Sequence, residues 1–166
     1  MKQEIKQAFN EQGYSFLLPI QEKAIPQILS RKNLFIQAAT GSGKTLAYLL
    51  PALEIADSAS NDTQILIITP TRELALQVSE VAKNTANYSK HHIVTVIGGL
   101  DIHKQENALR HRPTIIIGTP GRLMDLYSQK KIDLSHLLLC VVDEVDMVIS
   151  TGQRKETEYL LQHTDT

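Results

Sequence analysis

The residues Ala38-Ala39-Thr40-Gly41-Ser42-Gly43-Lys44-Thr45 lie between an apolar run and a stretch with helical spacing. That is the setting in which a chain wraps a phosphate group. Gly41 and Gly43 let the backbone turn tightly enough for its N–H groups to meet phosphate oxygens. Lys44 is expected to reach the β- and γ-phosphates of a nucleotide, and the Thr45 hydroxyl to bind Mg²⁺. The helix that opens here adds its positive end. The usual phosphate-loop pattern has glycine where this chain has Ala38. A glycine-rich turn without any ligand is the competing reading, and Gly-Lys-Thr at a strand-to-helix junction weighs against it.

A second group, Asp143-Glu144-Val145-Asp146, directly follows the apolar run Leu137–Val142. Sheets of parallel strands place ligand chemistry at the C-terminal tips of those strands. Asp143 suits Mg²⁺, partly through water, and Glu144 suits a base or orienting group for an attacking water. Acidic residues at a helix start also serve simply as favourable charges for the helix end. The phosphate loop earlier in the same chain favours the chemical reading.

Elements at regular intervals must hold these groups. Helical spacing marks Ile5, Ala8 and Phe9, then Ala24, Ile25, Ile28 and Leu29. Further helices are expected over Lys44 to about Ala59, Arg72 to about Ala86, Ile102–His111 and Gly121–Gln129. Short apolar runs predict strands at Leu34–Ala39, Ile65–Thr69, Ile93–Ile97, Thr114–Gly118 and Leu137–Val142, with a polar turn at Ser58–Thr63. Strands alternating with helices imply an α/β fold: a parallel sheet with helices on both faces. With 166 residues, 42% hydrophobic and 21% charged, the chain suits one domain, residues 1–166. Its longest apolar run is far too short to span a bilayer and no secretory signal opens the chain, so a cytoplasmic location and no membrane partner are expected. The single cysteine, Cys140, sits inside an apolar run and reads as a small buried side chain. A formal net charge of −1 excludes nucleic-acid binding by bulk attraction. Any such contact must come from a few placed amides, helix starts and arginines.

Taken together, the two motifs resemble the DEAD-box branch of superfamily 2 RNA helicases, a family in which alanine at position 38 is tolerated. The resemblance covers almost the whole chain. Gly13-Tyr14-Ser15-Phe16-Leu17-Leu18-Pro19-Ile20-Gln21 is similar to the family's Q motif. It implies that Gln21 hydrogen-bonds the adenine edge of ATP while Tyr14 stacks on the base; Leu17 replaces a more usual proline. Ala38 to Thr45 would form the rest of the ATP site, with Lys44, Asp143 and Glu144 as the catalytic set and Thr45 with Asp143 at the Mg²⁺. Pro70-Thr71-Arg72 resembles motif Ia, Gly98-Gly99 with Gln105 the glycine doublet, and Thr119-Pro120-Gly121-Arg122 motif Ib. The family uses these loops to hold the sugar-phosphate backbone of single-stranded or duplex RNA without reading bases. Asp146 would couple the domain to a second RecA-like domain.

The resemblance therefore implies a RecA-like P-loop domain that is incomplete at its C-terminal end: motif III, the second domain and its arginine finger are absent from these 166 residues. Little hydrolysis is expected from this portion alone. Val145 replaces the alanine of the family's box and faces away from the chemistry, and Gln153 stands where an aromatic is usual. In sheets of this kind the strand leading into motif III lies between the strands that carry the two nucleotide motifs. Leu34–Ala39 and Leu137–Val142 are thus expected to lack their shared neighbour, with the gap filled by a partner segment or by the remainder of a longer chain. A binding module without catalysis remains an alternative, as does an unrelated P-loop kinase or ATPase.

Overall fold

The computed structural model describes residues 1–39 and 41–164. Four parallel strands, β1 (Ile65–Ile68), β2 (Ile93–Val96), β3 (Ile115–Gly118) and β4 (Leu139–Val142), form one sheet in the order β2-β3-β1-β4. The registers Ile65↔Ile115, Ile93↔Ile115 and Ile65↔Leu139 bring all four C-terminal tips to one end of the sheet. The central sequences Ile-Leu-Ile-Ile and Ile-Ile-Ile-Gly are apolar without alternation because both of their faces are covered.

Strand alternation divides the interior into two cores. Ile65, Ile67, Ile93, Ile115 and Ile117 turn to one face. They pack there under α1 (Gln3–Glu11), α2 (Pro19–Leu29), α3 (Lys44–Ile55) and α4 (Arg72–Thr85) through residues such as Phe9, Ile28, Leu49 and Val78. Leu66, Ile68, Val94, Val96 and Ile116 turn to the other face, under α5 (Ile102–Arg110), α6 (Pro120–Ser128) and α8 (Arg154–Gln162). Every residue of α3 from Leu46 to Leu53 is buried, as expected for a helix apolar on all sides. The α/β architecture with helices on both faces is therefore as the sequence predicts.

One expected strand is absent. The run Leu34–Ala39 carries no ladder, and Phe35 is 81% exposed. A segment becomes a strand only when a neighbour takes up its N–H and C=O groups, and its apolar character alone supplies none. Among the described residues no strand stands between this run and β4. The four residues of β4 are only partly covered, and Cys140 packs against the second core with its thiol pushed up by burial, in keeping with a small side chain turned inward. Among the described residues neither the run Leu34–Ala39 nor the outer edge of β4 has a strand partner.

Helix α3 stops at Ile55 rather than near Ala59, where the backbone of Ala56 turns extended. Two helices were not anticipated. α7 (Val145–Ser150) buries Val148 alone, and lies between two left-handed residues, Glu144 (φ +48°) and Gly152 (φ +77°). α8 is mostly polar and buries only Thr157 and Leu160. No helix of the described residues is long and apolar enough to cross a membrane.

Candidate nucleotide site and backbone groove

The phosphate loop is set by its neighbours as much as by its own glycines. Gly43 caps the N-terminus of α3 with φ +87°, and a Cβ there would fall 2.6 Å from Gln21 Nε2 and 2.8 Å from Leu18 Cδ1. Only glycine fits this conformation and this space. Gln21 is 2% exposed; its Nε2 donates to the Gly43 carbonyl at 3.1 Å, and its Oε1 accepts the Leu18 N–H at 2.9 Å. The amide expected at an adenine edge is thus also the brace between α2 and the loop, with one N–H and one lone pair left over. Tyr14 sits at the turn after α1, half-exposed, its ring tilted against Phe9 at 5.1 Å. Lys44 Nζ donates to the Ala38 carbonyl at 2.7 Å, so the loop closes on its own lysine. Ser42 Oγ is buried with no partner. Thr40 lies outside the described residues.

Across the groove, the Asp143 N–H donates to Ile68 O at 2.9 Å and continues the ladder one residue past β4. Its carboxylate is held at both oxygens: Oδ1 accepts the Glu144 N–H at 3.0 Å and Oδ2 accepts the Tyr48 hydroxyl at 2.8 Å. Burial, and then the charge of Asp143, push the Tyr48 phenol far above its ordinary range. Glu144 adopts the left-handed conformation, which costs a non-glycine residue about 1–3 kcal/mol and clusters at functional sites. Asp146 and Val145 are exposed on the first turn of α7. The space between the run Leu34–Ala39 and β4, about 1230 Å³, is the open strand gap itself, and Lys44, Tyr48, Asp143, Glu144 and Asp146 are among the residues that line it, whereas Gly41, Ser42, Gly43, Thr45, Gln21 and Tyr14 are not.

A second groove, of about 630 Å³, gathers Pro70, Thr71, Arg72, Gly98, Thr119, Gly121 and Arg122 from the tips of three strands. Gly99 and Pro120, expected with them, do not line it. A Cβ on Gly99 (φ +78°) would meet Arg72 Nη1 at 2.1 Å, so the arginine lies over the glycine doublet. Gln105 clamps the end of β2, accepting the Ile97 N–H and donating to the Ile97 carbonyl at 3.0 Å each. Two further lining residues, Asp125 and Glu156, belong to none of the motifs, and Gln153, which stands where the family has an aromatic, lines the groove as well. Gln153 Nε2 donates to Pro70 O at 2.8 Å, tying the segment after α7 to the tip of β1. Arg122 Nη1 and Glu156 Oε2 are buried without partners. No residue spacing announced these groups, because α8, which carries Glu156, was not anticipated.

The two threonines of this groove differ. Thr71 Oγ1 caps α4 by accepting the Leu74 N–H at 3.1 Å, whereas Thr119 makes no side-chain cap bond at the start of α6. Thr71→Ala is expected to lower stability by about 0.5–2 kcal/mol in urea unfolding. Thr119→Ala is expected to leave the midpoint nearly unchanged, and equal losses would contradict this assignment.

Comparison with known proteins agrees with this geometry. The family described as DEAD/DEAH box helicase matches residues 18–166. An ATP-dependent RNA helicase CshA of Listeria monocytogenes is 41% identical over 163 residues, covering 98% of this chain and 31% of that protein. A DEAD-box ATP-dependent RNA helicase CshA of Bacillus subtilis is 37% identical over 163 residues, covering 98% of this chain and 33% of that one. The chain therefore spans about a third of the length of these curated relatives. Among solved structures, a hypothetical ATP-dependent RNA helicase from Sulfolobus tokodaii superposes with a TM-score of 0.91 at 36% identity, covering 99% of this chain and 47% of that one. A DEAD box protein from Methanococcus jannaschii gives 0.94 at 31% identity, covering 99% of this chain and 45% of that one. By motifs, sheet and grooves alike, the chain belongs to the DEAD/DEAH box helicase family.

Proposed function

We propose that this chain is the N-terminal RecA-like portion of an ATP-dependent, cytoplasmic DEAD-box RNA helicase, the part that binds ATP and the RNA backbone. The observation that carries the reading is that Asp143 at the tip of β4 lines one space with Lys44 and Glu144, while the backbone-type loops at the tips of β1, β2 and β3 line another. Lys44 and the loop N–H groups would hold the phosphates. Asp143 and Thr45 are hard oxygen donors of the kind Mg²⁺ takes, and the carboxylate is already oriented. Bound there, Mg²⁺ would neutralise phosphate charge. Glu144, next in the chain, would orient or deprotonate the attacking water. In the longer protein a second RecA-like domain, meeting Asp146, would complete the site and couple hydrolysis to duplex unwinding.

The backbone groove supports binding by phosphate contacts without base readout, since its donors are arginine forks, threonine hydroxyls and helix starts. Fluorescence anisotropy with labelled single-stranded RNA tests this. Binding should be weak, indifferent to sequence and strongly weakened by salt. Arg72→Ala and Arg122→Ala should each weaken it about equally for every sequence and flatten the salt slope by about one. Tight binding to one sequence, or arginine variants that bind as the parent does, would overturn the reading.

A further inference from the structure

Tyr48 belongs to none of the motifs read from the sequence, yet its hydroxyl reaches across the groove to the candidate cation site. It follows Thr45 by three residues and Lys44 by four, so α3 presents all three on one face. Its ring is buried, 5% exposed, among residues of the larger core. Phenylalanine would fill the same volume. What the hydroxyl adds is one donor aimed at Asp143 Oδ2, at 2.8 Å. A buried hydroxyl without a partner is costly, so this donor is committed to the carboxylate. The Thr45 side chain lies beside the same phenol oxygen. With Oδ1 held by the Glu144 N–H as well, the carboxylate is fixed about its axis, and each oxygen keeps a lone pair not used by these two bonds.

We propose that Tyr48 is a positioning residue for the cation site, its hydroxyl fixing in one orientation the Asp143 carboxylate that, with Thr45, would hold Mg²⁺. The inference rests on the nucleotide and Mg²⁺ reading of this groove. Partners of this sort, which hold a ligand without touching the metal, typically account for about 10–100-fold in metal affinity. The Lys44 contact to phosphate does not involve them.

Titration with a fluorescent ADP analogue, in EDTA and across a series of Mg²⁺ concentrations, separates the two contributions in the 166-residue chain. Tyr48→Phe should bind the analogue in EDTA as the parent does, while its Mg²⁺ midpoint rises about tenfold. Asp143→Asn should remove the Mg²⁺ response, and adding Tyr48→Phe to it should change nothing further. Circular dichroism confirms that each variant is folded, and Tyr48→Leu, which also lacks the hydroxyl, serves if the phenylalanine variant is not. An unchanged Mg²⁺ midpoint in a folded variant overturns the proposal and leaves the nucleotide site standing. So does a parent chain that binds the analogue with no Mg²⁺ response. A parent chain that binds no analogue at all overturns the site reading itself, and the proposal falls with it.

Discussion

Lys44→Ala is expected to lower affinity for an adenine nucleotide by about a hundredfold or more, taking it out of the range of calorimetry. Hydrogen bonds to charged groups contribute about 1.5–3 kcal/mol each, and two phosphates facing one ammonium set the scale. Lys44 Nζ donates to the Ala38 carbonyl. A nucleotide therefore replaces a neutral acceptor with anionic ones, and the alanine variant forgoes that exchange entirely. Stability should change little by comparison, because a single carbonyl at a solvent-facing loop can turn to water. Undiminished affinity in the variant would remove the phosphate loop from the nucleotide site.

The second large effect lies in the sheet. In a parallel ladder alternate residues point to opposite neighbours, and Leu139 and Asp143 donate toward β1, through Gln64 O and Ile68 O. Cys140 and Val142 then turn their N–H groups to the open side of β4. Hydrogen exchange should find these two amides, and those of Ile36 to Ala39, exchanging at least about a thousandfold faster than Ile65–Ile68 and Ile115–Ile117 at the sheet centre. Core amides open only with free energies approaching the global stability of about 5–15 kcal/mol, whereas unpaired ones open at almost no cost. Uniform protection across β1, β4 and the 36–39 segment would show that the gap is closed in solution.

The sequence made β1 and β3 legible because their branched apolar runs are covered on both faces, and composition then reports structure directly. It misled over Leu34–Ala39 for a related reason. Hydrophobicity says that a segment should be covered, and says nothing of whether the covering neighbour is at hand. Asp143 and Lys44 were legible because motif chemistry is local, and the structure brings them to one groove. Tyr48 was not. In the row Leu46–Leu53 it reads as one more core side chain, and only the fold places its hydroxyl against a residue far along the chain. Glu156 was hidden likewise, since its meaning depends on where α8 docks. Gln21 was read for its amide, but not for the carbonyl of Gly43 that the amide already holds.

The acidic box ends in the least anchored helix of the described residues. α7 has six residues, one of them buried, and Met147 and Ile149 are 38% and 54% exposed. Little apolar area holds it down, and it is joined to the rest at two left-handed residues where the chain already turns sharply. Such a segment is a unit of local unfolding, one that detaches at a small fraction of the free energy needed to melt the sheet. Proteases should therefore nick the chain first between Val145 and Gly152 while both cores remain intact. A ligand contacting Glu144 or Asp146 would slow that cleavage in proportion to its own affinity for the docked form.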